Sequence, residues 1–189
     1  EVQIRAFEML ADKSYAATAN CIIGMPDETR ELIFDTIKFV RKLPKSIDAT
    51  GAFIFAPYHG TPLRELAIQK GYLRDDEIVS SFNYTTSDHS MLRMPTISQQ
   101  EISGLSRAFS LYVKFPESRW NEIKIAEQFN AEGEAMFKKL GEEFDQKYTQ
   151  KTDDQVFQYN HHEDFVKNAL KEGSPGLTDS FILKVFKIF

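Results

Sequence analysis

Apolar residues recur at Val2, Ile4, Phe7 and Leu10, a spacing that predicts an opening amphipathic helix. The pattern then changes. Residues 16–24 are small and then branched and apolar, and they stop at Gly24, which predicts a strand buried on both faces, as in a parallel sheet. Asp27 or Thr29 offers an N-cap for a second helix that carries Leu32, Ile33, Thr36, Ile37 and Val40 on one face and ends at Pro44. A second strand bears Phe53, Ile54 and Phe55 and is halted by Pro57 and Gly60. Pro62 suits the first turn of a third helix, with Gly71 at its end.

Helix, strand, helix, strand, helix with short connections predicts an α/β arrangement built on a parallel sheet. In such sheets the loops after the carboxyl ends of the strands carry function. Two conspicuous turns fall there, Gly-Met-Pro-Asp-Glu-Thr at 24–29 and Ala-Pro-Tyr-His-Gly-Thr at 56–61. Residues 74–97 are polar and aromatic without a clear period, which predicts an extended loop or lid. From Ser98 the helical spacing returns, and Pro116 divides two helices. A further helix is expected over 152–173. Ser-Pro-Gly then precedes a closing apolar run with Phe181, Leu183, Val185, Phe186 and Phe189, which reads either as a docking element or as simple packing.

Composition narrows the function classes. The chain is 42% hydrophobic and 27% charged, which suits a globular protein, and its net charge of -5 argues against a nucleic-acid partner. One cysteine, Cys21, can neither form an internal disulfide nor hold an iron–sulfur cluster or structural zinc alone. A reducing, cytoplasmic setting is the expectation. No stretch is long and apolar enough for a transmembrane helix. The chain opens without methionine, inside a helical pattern, and is expected to be a piece of a longer polypeptide.

At the first turn, Gly24 would let the backbone approach a ligand closely, while Pro26 fixes the turn. A plain strand-to-helix turn fits the same residues. The second turn would project Tyr58 and His59 into the same space, and it too reads alone as a tight loop. Two such turns at neighbouring strand ends favour a shared pocket. His161 and His162 are adjacent, so on a helix they point apart and do not chelate from one face; no metal site is expected in this chain.

Taken together, Ile23, Gly24, Pro26, Glu28 and Thr29, then Pro57, Tyr58, Gly60, Thr61 and Leu63, then Gly71, Tyr72 and Leu73 resemble the second half of a radical S-adenosylmethionine enzyme. They are most similar to the branch whose members often carry an N-terminal cobalamin-binding domain. The likeness is specific over residues 1–73 and moderate to about residue 120. It implies the C-terminal half of a partial (β/α)6 parallel barrel over 1–73, a loop or lid over 74–97, and a mainly α-helical region over 98–189. It implies an enzyme that reductively cleaves S-adenosylmethionine at a 4Fe-4S cluster to a 5′-deoxyadenosyl radical for substrate modification, and it leaves cobalamin-dependent methyl transfer open. Ile23, Gly24, Glu28, Phe55, Ala56 and Pro57 would then form the wall that holds the adenine. Tyr58, His59, His89 and Arg93 would face a small-molecule substrate.

Two features depart from that pattern. The family's three cysteines, spaced Cys-x3-Cys-x2-Cys, are missing, so cluster ligands would lie outside this chain. Asp27 also takes the place where the general motif puts its glutamate, with Glu28 one residue later. The expected partners are the remainder of the same polypeptide and, through an exposed apolar edge or the C-terminal tail, a second copy. The rival expectation is a non-catalytic interaction or scaffold module derived from a truncated barrel.

Overall fold

The computed structural model describes residues 2–13, 17–48, 51–79 and 89–148. Helix α1 (Val2–Asp12) leads into short strands β1 (Ala17–Thr18) and β2 (Cys21–Ile23), helix α2 (Arg30–Val40), strands β3 (Ile47–Asp48) and β4 (Ala52–Ile54), and helix α3 (Pro62–Gln69). Helices α4 (Gln99–Lys114), α5 (Trp120–Ala126) and α6 (Ala131–Tyr148) follow, with a 3-10 turn at Glu117–Arg119 before α5. The fold is therefore mixed α/β with short parallel strands. Among the described residues the strands close no barrel.

The two expected strands are each interrupted. Ala17 pairs with Ile47 and Thr18 with Asp48, then Cys21 with Ala52, Ile22 with Phe53 and Ile23 with Ile54, all parallel. Two residues separate the paired segments on the first strand and three on the second, so the pairing steps by one residue between them.

Burial along the strands alternates, contrary to the expectation of strands covered on both faces. Ile23, Ala52 and Ile54 are buried, while Ile22 and Phe53, cross-strand neighbours, are 56% and 49% exposed. The physical reason is one-sided coverage. The buried face lies under α4, where Ser106 Oγ donates to the Ala52 carbonyl at 2.8 Å. The core of Ile23, Ile33, Ile37, Ile54, Ile102 and Leu105 fills the space between sheet, α2 and α4. On α2 the buried stripe is Ile33, Ile37 and Val40; Leu32, expected on it, is 50% exposed.

Local chemistry sets the helix ends. Thr29, not Asp27, caps α2, its Oγ1 accepting from Leu32 N. Ser98 and Glu101 form a full capping box at the start of α4. At the other end of α4, Arg41 donates to the carbonyls of Tyr112, Val113 and Phe115, placing a cation where the helix presents unpaired acceptors. Phe115 and Ile123 are buried with Trp120 packed against the same core. Expectations for residues 149–189, and for the part of the 74–97 segment over 80–88, fall outside the described residues.

Candidate functional site

The carboxyl ends of β2 and β4 lie side by side. Phe55 N donates to the Ile23 carbonyl at 2.8 Å, which carries the parallel pairing one bond past the strands. The turns at 24–29 and 56–61 therefore leave the sheet together, beside the uncovered face that carries Ile22 and Phe53.

The first turn is closed from within. The Glu28 carboxylate accepts from Gly24 N at 2.5 Å and from Met25 N at 3.1 Å through one oxygen. Burial pushes the Glu28 carboxyl above its usual range, and the amides of Met25 and Gly24 oppose that shift. Gly24 adopts φ 80°, and a Cβ there would lie 3.1 Å from Ile102 Cγ2. The glycine thus serves two needs, the left-handed turn and the close approach of α4. A Gly24→Val change would press on the core, so it does not report on ligand space alone.

Asp27 follows at φ 65°, the one non-glycine residue with positive φ among the described residues. Its carboxylate accepts from Lys70 Nζ at 2.6 Å and from the Tyr72 hydroxyl at 2.8 Å. Those hydrogen bonds, Lys70 first, hold the Asp27 carboxyl below its usual range. Thr96 Oγ1 donates to the Glu28 carbonyl at 2.8 Å. Behind this turn opens a shallow cleft of about 590 Å³, lined by Lys70, Tyr72, Arg93, Pro95, Ser98 and Gln99.

The second turn is closed in a similar way. Thr61 Oγ1 donates to the Tyr58 carbonyl at 2.7 Å, and Tyr58 N to the Ala56 carbonyl at 2.9 Å. Arg64 on α3 is buried to 1% exposure and donates to the carbonyls of Pro57, Asp75 and Glu77, which binds the turn to the segment after α3. Sequence reasoning missed Arg64; an arginine in the first turn of a short helix carries no mark of burial.

Of the residues singled out from sequence, Ile23, Gly24, Glu28, Phe55, Ala56 and Pro57 come together at the two strand ends. Ile23 is fully buried and reaches the site through its backbone; the side chain on the open face is that of Ile22. Phe55 and Pro57 are buried, and Ala56 is half-buried. Tyr58 and His59 stand exposed on the second turn, and His89 is exposed elsewhere. Arg93 belongs to the cleft behind the first turn. Its guanidinium is paired with Glu77 at 2.5 and 2.9 Å, and Arg93 holds the Glu77 carboxyl down at about 2, helped by Arg74 N.

Cys21 is half-buried, and burial pushes its thiol up, away from the thiolate that metals bind. Among the described residues no three His, Cys, Asp or Glu side chains converge on a point that could hold a metal. The described residues, with Cys21 as the chain's single cysteine, do not fit an iron–sulfur cluster. Apolar Ile22 and Phe53 lie on the open face beside the two closed turns. No described helix is long and apolar enough to cross a membrane.

No family model matches the chain, and no solved structure does. Over 99 residues it is 38% identical to a protein of Pyrococcus horikoshii named as an uncharacterized methyltransferase. The match covers 52% of this chain and 20% of that protein, so it spans about a fifth of the length of the curated relative. Over half its length, then, this chain is similar to one part of a much longer protein named as a methyltransferase.

Proposed function

We propose that this chain is the C-terminal part of a radical S-adenosylmethionine enzyme, and that the ends of β2 and β4 form the wall against which the adenine of the cofactor rests. The observation that carries the reading is the paired strand ends beside an apolar, uncovered face with Ile22 and Phe53. The similarity to a protein named as a methyltransferase supports use of S-adenosylmethionine, the general biological methyl donor. Cleavage would need an iron–sulfur cluster held by residues outside this chain, and methyl transfer, with cobalamin as carrier, is the outcome we favour.

In this reading the chain's own residues bind and orient. Gly24, held by Glu28, fixes the backbone at the end of β2, while Ala56 and Pro57 do so at the end of β4. Ile22 and Phe53 exclude water from the flat face of the ligand. Tyr58 and His59 on the second turn, and Arg93 in the cleft behind the first, are the side chains we assign to substrate; an anionic group would have to compete with Glu77 for Arg93.

The test uses the full-length protein after anaerobic reconstitution. With dithionite as the electron donor, it should release 5′-deoxyadenosine and methionine from S-adenosylmethionine. Ile22→Asn should weaken cofactor binding about tenfold, and an unchanged thermal midpoint would show that the loss is not one of folding. Methyl transfer by iron-free protein in air would overturn the radical reading. A second reading, an interaction module, is favoured by the same uncovered face. Full-length protein that binds no S-adenosylmethionine would decide for it.

A further inference from the structure

Gly71, Tyr72 and Leu73 follow α3, and of the three only Tyr72 has a side chain that reaches the first turn. Leu73 is buried at 3% exposure and anchors the segment in the core. Tyr72 is fixed through its backbone at both ends: its N donates to the Ala67 carbonyl at 2.9 Å, and its carbonyl accepts from Arg93 N at 2.8 Å. Only the phenol extends outward, and its hydroxyl meets Asp27 at 2.8 Å. Lys70, two residues earlier, reaches the other oxygen of the same carboxylate.

Asp27 needs such ties. Residues with a Cβ disfavour φ 65°, although Asp and Asn tolerate it better than most. The chain must turn there, because Gly24 is pressed against Ile102 on one side and Thr29 starts α2 on the other. Asp27 and Lys70 are both exposed, and an exposed ion pair contributes little to global stability. The effect of the contact is therefore local. It decides how ordered the turn at 24–29 is.

We infer that Lys70, Asp27 and Tyr72 form a clamp that positions the turn after β2 for ligand binding, with Tyr72 as its fixed post. The inference rests on the cofactor-wall reading for what the turn binds. The clamp itself rests on the conformation of Asp27 and its two distant partners. It also gives a physical reason why the block at 71–73 accompanies the turn at 24–29: one supplies the post that the other is tied to.

The experiment compares full-length wild type with Tyr72→Phe, Asp27→Gly and Asp27→Asn. Amide exchange at Gly24 and Met25 is measured without ligand, and S-adenosylmethionine affinity by calorimetry. Tyr72→Phe should speed exchange at those two amides about fivefold, the equivalent of one hydrogen bond, and weaken affinity by a similar factor. Amides in the middle of α2 and α4 should be unaffected. Asp27→Gly takes the left-handed conformation freely but cuts both ties, so it should loosen the turn at least as much. Asp27→Asn keeps an oxygen for Tyr72 but turns an NH2 toward Lys70, so it should loosen the turn less than Asp27→Gly. Unchanged exchange in Tyr72→Phe, faster exchange throughout the protein, or local loosening without loss of affinity would each overturn the clamp. If wild type binds no S-adenosylmethionine, the cofactor reading fails, and the exchange data alone decide whether the clamp exists.

Discussion

The sheet-bearing half, residues 17–79, and the helical half, α4 to α6, use their polar side chains differently. In the first, most ties close turns onto backbone: Glu28 onto Gly24 and Met25, Thr61 onto Tyr58, Arg64 onto three carbonyls. In the second, charges join one helix to another. Arg107 pairs with Glu134, and Arg119 with Glu122 and Glu143. Phe115, Phe144 and Tyr148 pack ring against ring across the same helices. A region that keeps one face open shapes its loops, whereas a region that closes on itself locks its elements together. Helix α4 serves both, with Ser106 on the sheet and Tyr112 on the helical side.

The sharpest way to break this contrast is at the bond that joins the halves. Glu127, just beyond α5, has a side chain only 3% exposed and accepts from both guanidinium nitrogens of Arg30 on α2, at 2.6 and 2.9 Å. It also accepts from the Tyr112 hydroxyl of α4, and burial together with that bond raises the phenol above its usual range. Glu127→Ala leaves a cation and a buried hydroxyl without their partner. It should destabilise by about 3 kcal/mol, the low end for a broken buried pair because Arg30 is partly exposed. Denaturant unfolding reads this directly. Adding Arg30→Met should recover part of the loss; if it does not, the cost lies in packing rather than in the stranded charge.

A smaller test contrasts two glycines of α6. A Cβ on Gly133 would lie 1.9 Å from the Gln128 carbonyl oxygen, so Gly133→Ala must open the turn between α5 and α6, at about 2 kcal/mol. At Gly141 nothing lies within 4 Å of the added carbon, and Gly141→Ala should stabilise the helix by about 0.5–1 kcal/mol. Equal effects of the two changes on the thermal midpoint would show that the helical half is less tightly locked than its contacts indicate.

Much of this arrangement is legible from sequence where the signal is local. Pro62 at the start of α3, Gly71 after it, and the break at Pro116 all act over three or four residues, and each stands where the pattern puts it; helical spacing likewise returns at Ser98, whereas the capping box it forms with Glu101 emerges only in the structure. The side-by-side strand ends follow from the alternation of elements. What the pattern does not carry is context. A run such as Cys21, Ile22 and Ile23 reads as covered on both faces, because an apolar side chain looks the same whether a helix, a ligand or water faces it. Leu32 escaped for the same reason. Asp27's left-handed backbone has no mark in sequence, and the pairing of Arg30 with Glu127 spans 97 residues. Such contacts are set by how the halves dock, which periodicity does not encode.

The smallest effect concerns acid. Arg119, and then Lys147, hold the Glu143 carboxyl down at about 2 in the folded protein. In the unfolded chain the group returns to an ordinary value near 4.5. A depressed folded value means that the native state resists protonation, so the contribution is complete above the unfolded value and is lost as pH falls from there toward 2. Glu28 has the opposite sign: burial raises its carboxyl, so the folded state takes a proton more readily than the unfolded chain does. Acid should therefore loosen the contact of α6 with α5 and Arg119 while costing the turn at 24–29 no stability through Glu28. Amide exchange in α6 should quicken between about pH 4.5 and the lowest pH at which the protein stays folded, relative to β2 at each pH after correction for intrinsic rates. Glu143→Gln should reduce that pH dependence in α6, leaving the part carried by Glu134, whose carboxyl Arg107 also holds down. If β2 loosens first instead, acid acts through the sheet-bearing half, and the difference between the two regions does not extend to their electrostatics.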